Sequence, residues 1–67
     1  MMVKINTRNL LKEMTVRGLN GYHLAKKCGI SDQTVYRLLR SSMATPKTVA
    51  IIANTLSVST DILIEME

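Results

Sequence analysis

Three times along this chain an apolar residue stands directly before a helix-capping residue, and a second apolar residue follows five positions after the first. The sets are Leu19-Asn20 with Leu24, Ile30-Ser31 with Val35, and Val58-Ser59 with Leu63. Each is a hydrophobic staple around an N-cap: the side-chain oxygen takes up a free backbone N–H while the apolar pair fixes the angle at which the chain enters the helix. Thr45 followed by Pro46 marks a fourth helix start, because proline at the first helical position loses no hydrogen bond. A first helix begins near Asn6 or Thr7. Gly18 and Gly29 each close a helical run and precede an apolar residue, which suits the left-handed position that glycine occupies without a Cβ penalty. The punctuation predicts five helices, over Thr7–Arg17, Gly21–Cys28, Asp32–Arg40, Pro46–Leu56 and Thr60–Met66. No strand-like alternation competes, and the fold class is all-α.

At 67 residues the chain is expected to be one domain, residues 1–67. A core of that size rarely supplies more than ~3–5 kcal/mol, so small folds add disulfides, a metal, a second subunit or close helix packing. Cys28 is the only cysteine and His23 the only histidine, so neither an internal disulfide nor a four-ligand Cys/His zinc site can form within one chain. Helix packing and dimerisation are left. Hydrophobic residues at 46% and charged ones at 21% exclude the composition of a disordered segment. The longest aliphatic run, Val49 to Ala53, falls far short of the ~20 residues of a membrane span. With no secretory apolar region after Lys4, a soluble cytoplasmic protein is expected.

The net charge of +4 is unevenly spread. Residues 1–40 hold eight Lys or Arg against Glu13 and Asp32, whereas residues 41–67 hold Lys47 against Asp61, Glu65 and Glu67. A basic first part with a slightly acidic tail suits attraction of a polyanion to one face. The apolar positions also sort onto faces. In the third helix Val35, Leu38 and Leu39 share the core side, and Gln33, Tyr36, Arg37 and Arg40 cluster opposite them, flanked by Asp32 and Thr34. The first helix offers Leu10, Leu11 and Met14 to the core; the second Leu24, Ala25 and Cys28; the fourth Val49, Ile52, Ala53 and Leu56. Cys28 reads as a small core residue and His23 as a surface one. Two short helices joined by Gly29-Ile30-Ser31 form a helix-turn-helix over about residues 20–40.

The run from Leu19 to Leu38, with Leu24-Ala25, Gly29-Ile30-Ser31 and Val35 through Leu38, resembles the helix-turn-helix of the phage repressor and Cro (Xre-like) family. Thr45-Pro46, Ile52-Ala53, Leu56, Val58-Ser59 and Asp61 to Leu63 are similar to that family's fourth and fifth helices, so the likeness spans about Leu10 to Ile64. It implies a five-helix, lambda-repressor-like domain whose third helix enters the major groove of double-stranded DNA. Base reading then falls to Asp32, Gln33, Thr34, Tyr36 and Arg37. Gln33 suits adenine N6 and N7, and Arg37 suits guanine O6 and N7. Asp32 can accept from cytosine N4, and it also complements the helix dipole. Phosphate contacts are implied for Asn20, Tyr22 and Lys47 at the starts of the second and fourth helices, with Arg40 and Ser42 as further candidates.

The chain departs from the family pattern at Gly21, where a polar residue is usual, and at Ser41-Ser42-Met43, where a glycine commonly follows the third helix. Met14 and Leu39 stand where relatives often pair an arginine with a glutamate, a joint change expected when hydrophobic packing replaces a buried ion pair. Ile51 and Ile62 occupy positions that are usually polar. With Met66 one turn further on, they are the expected dimer surface.

The function expected is a sequence-specific regulator of transcription, repressor or Cro-like, that binds a palindromic operator as a homodimer. The alternative is a protein-interaction module, such as an antitoxin, on the same fold. One histidine, no nucleophile with a matching base, no glycine-rich phosphate loop and no metal cluster argue against an enzyme. No cofactor, metal or small-molecule ligand is expected.

Overall fold

In the computed structural model, which describes residues 1–65, the chain runs β1 (Val3–Lys4), α1 (Thr7–Val16), α2 (Gly21–Cys28), α3 (Asp32–Ser41), β2 (Met43–Ala44), α4 (Pro46–Leu56) and α5 (Thr60–Leu63). Every helix opens on a side-chain cap. Asn6, Asn20, Ser31, Thr45 and Ser59 accept hydrogen bonds from the backbone N–H of Asn9, His23, Gln33, Thr48 and Asp61 in turn.

The closures follow one pattern. Gly18, Gly29 and Ser57 adopt left-handed backbone angles, and the apolar residue after each donates its N–H five residues back: Leu19 to Met14, Ile30 to Ala25 and Val58 to Ala53, at 2.9–3.0 Å. These are Schellman closures. The same three side chains, Leu19, Ile30 and Val58, pack against the core formed by Leu10, Met14, Leu24, Val35, Leu38, Val49, Ile52, Leu56 and Leu63. At Gly29, with φ of 72°, a methyl group would meet open space, so the glycine is required by the backbone angle alone.

Several expectations are corrected. Two short strands exist: β1 pairs antiparallel with β2, Val3 opposite Ala44 and Lys4 opposite Met43. Two residues are too few for an alternation to show. The last helix stops at Leu63 rather than near Met66, because Ile64 turns extended and bridges Ile5 while the Glu65 N–H donates to the Lys4 carbonyl. Met66 lies outside the described residues. Leu11 is 49% exposed, since Leu10 and Met14, four residues apart, form the inward stripe of α1 and Leu11 is rotated about 100° from Leu10. Cys28 and Leu39 are half-buried and packed against the core rather than enclosed by it. Met14 is buried, so that end of the apolar exchange lies within the core.

The end of α4 is held by a charged group. Arg17 Nη2 donates to the Leu56 carbonyl at 2.7 Å, while Nη1 donates to the carbonyl and carboxylate of Glu13 at 2.7 and 2.8 Å. The guanidinium thus joins α1 to a carbonyl at the C-terminal end of α4, the favourable place for a cation. Arg17→Ala is expected to cost about 1–2 kcal/mol, reduced from the full value of a charge-assisted bond by its partial exposure. Thermal denaturation should register the loss as a fall in Tm of roughly 5–15 °C. An unchanged Tm would show that this link contributes nothing.

Candidate nucleic-acid interface

Helix α3 is amphipathic by position. Val35 and Leu38 are fully buried, and Asp32, Gln33, Tyr36, Arg37 and Arg40 are exposed, with Thr34 half-buried at the boundary. The backbone reason is the Ser31 cap, which starts the helix so that Val35 falls inward four residues later. Asp32 lies in the first turn, where its carboxylate complements the helix dipole.

The salt bridges among the described residues are Lys4–Glu65, 3.5 Å and solvent-exposed, and Arg17–Glu13. Lys26, Lys27, Arg37, Arg40 and Lys47 therefore have no carboxylate partner among the described residues. Lys47 is exposed in the first turn of α4, directly after Pro46. Asn20 caps α2 through Oδ1, 2.8 Å from the His23 N–H. Tyr22 is 49% exposed, with Lys26 Nζ 5.6 Å from the centre of its ring and the exposed His23 packed edge-on at 5.8 Å. Ser42 ends α3 at φ of 60°, donating to the Leu38 carbonyl and accepting from the Ile5 N–H at 2.8 Å. The left-handed backbone angle expected of a glycine after the third helix is thus taken by a serine. Ile51 is half-buried; Ile62 is half-buried too, and it packs against the core of its own chain.

Gly21, the departure from the family pattern, has a local explanation. It is buried, and a Cβ built on it would lie 2.6 Å from Cε1 and 2.8 Å from Cζ of Tyr36. The tyrosine ring of α3 lies across the first residue of α2, which must be glycine for the ring to approach so closely. Neither residue is informative alone; the clue was a glycine at a helix start coupled to a large aromatic in the next helix. Gly21→Ala is expected to displace the half-exposed ring at a cost of about 1 kcal/mol. A Tyr36→Ala background should abolish that cost, and a double-mutant cycle by urea denaturation measures the coupling. Additive effects would show that the two residues do not bear on one another.

The described residues show no group of three or more His, Cys, Asp or Glu that can hold a metal ion, and no helix among them is long and apolar enough to cross a membrane. The family profile described as helix-turn-helix matches residues 15–63, about three quarters of the chain. No curated protein and no solved structure gives a match. That profile takes in the α2–α3 pair and both following helices, and the family it describes is a DNA-binding regulatory one rather than a family of enzymes. The chain belongs to the Cro/C1-type, Xre-like helix-turn-helix family and is a DNA-binding regulator of transcription.

Proposed function

We propose that the protein is a Cro-like or repressor-type regulator that binds a palindromic operator as a homodimer. The observation that carries the reading is the outer face of α3, where Gln33, Arg37 and Arg40 are exposed together above a fully buried Val35 and Leu38. A rigid, core-anchored helix presenting side chains that hydrogen-bond is what base readout in the major groove requires. In this reading Asp32, Gln33, Thr34, Tyr36 and Arg37 meet base edges, Asn20, Tyr22 and Lys47 meet phosphates, and Arg40 and Ser42 are further phosphate contacts. Because Oδ1 of Asn20 is engaged in its cap, its side-chain amide N–H is the group left to meet a phosphate.

Dimerisation follows from scale. A single ten-residue helix contacts few base pairs, and two copies related by a two-fold axis read half-sites ~34 Å apart. Ile51 is the cleaner probe of the proposed contact, since Ile62 also serves its own core.

Selection of duplexes from a random pool is expected to recover palindromic sites, with log affinity falling against log salt by ~0.9 per phosphate neutralised. Gln33→Ala and Arg37→Ala should relax preference at particular base pairs, at roughly 1–3 kcal/mol each. Lys47→Ala should weaken specific and random duplexes alike. Full preference retained in the Gln33, Arg37 double variant would remove α3 as the reading element. Separately, Ile51→Lys is expected to give a folded monomer in sedimentation, with palindrome binding weakened far more than half-site binding. A variant that stays dimeric places the contact elsewhere.

A further inference from the structure

Two methionines that the core does not use stand beside the reading helix. Met2 is 52% and Met43 36% exposed, and both line a half-open groove of about 200 Å³ together with Thr34 and Arg37 of α3 and Thr45 and Thr48 at the start of α4. The groove is thus continuous with the face proposed to meet bases. Met43 is not loosely placed. Strand β2 sets it opposite Lys4, and its N–H donates to Ser41 Oγ at 3.2 Å. Among the described residues no carboxylate lines the groove, and the one charge there is the Arg37 guanidinium, which suits a nucleic acid better than a protein of mixed charge.

We propose that this groove is a methyl-reading subsite in which Met2 and Met43 take the C5-methyl of a thymine next to the base pair contacted by Arg37. The proposal rests on the DNA-binding reading above and adds a contact to it. Among the groups that base pairs present in the major groove, the thymine methyl is the apolar one. A flexible, polarisable thioether is suited to closing over it. Both methionines keep part of their apolar surface exposed here, and closing over a methyl group removes that surface from water.

The test uses duplexes selected from the random pool, with each thymine replaced in turn by deoxyuridine, which removes the methyl and keeps every hydrogen-bonding group. One position in each half-site is expected to lose about fourfold in affinity, the worth of a single buried carbon. A Met2→Ala, Met43→Ala variant, checked for folding by circular dichroism, should bind thymine and uracil forms equally, while Met43→Leu should retain the preference. The proposal is overturned if no replacement weakens binding, or if the methyl effect persists in the double alanine variant. Arg37→Ala on the same duplexes separates the two levels. If Arg37 still governs its own base pair and no methyl effect exists, DNA reading stands and the subsite is rejected; if no duplex is enriched, both fall.

Discussion

The structure depends on three short connectors in which one apolar side chain closes a helix and opens the next. Leu19, Ile30 and Val58 each complete a Schellman closure through their N–H and each precede the cap of the following helix. Because one side chain serves both ends, and because it packs against the common core, the angle between successive helices is set locally. Without that constraint α2 and α3 would be two marginal helices of eight and ten residues. With it, Val35 and Leu38 are driven into the core, and the opposite side of α3 is left to face outward as a rigid surface.

The N-terminal strand supplies the second constraint, and it acts between parts of the chain that are distant in sequence. Ile5 donates to Ser42, Asn6 donates to Leu63, and the Lys4 carbonyl accepts from Glu65, while the Asn9 side chain donates to the Ile62 carbonyl. The unsatisfied carbonyls at the end of α5 thus find their partners at the beginning of the chain. The same strand holds the segment after α3, so the edge of the proposed reading face is tied to the chain's C-terminal part. Met2 and Met43 are brought to one groove by this stitching and by nothing local.

Electrostatics divides the basic residues by task. Arg17 is engaged with Glu13 and the end of α4, and Lys4 with Glu65, so neither is as available to a polyanion as the cations of α2, α3 and α4. A count of charges along the sequence places Arg17 in the attracting part. Its geometry makes it a structural link, since the carbonyl it reaches belongs to a residue 39 positions away.

What the sequence determined by itself is what short-range chemistry encodes: where each helix starts, because Asn20, Ser31, Thr45 and Ser59 satisfy N–H groups two or three residues on, and which side of α3 is buried, because a period of about 3.6 residues is visible within ten. The family likeness rested on those same local signals. What only the tertiary structure decided are the contacts made at long separation. The strand pair, the early stop of α5, the seat of Tyr36 on Gly21 and the placing of Met2 and Met43 along one groove all depend on chain segments brought together by the core. A two-residue strand carries no periodicity, and a glycine does not announce which ring will cover it; in both cases the partner that gives the residue its role is chosen by packing rather than by its neighbours in the chain.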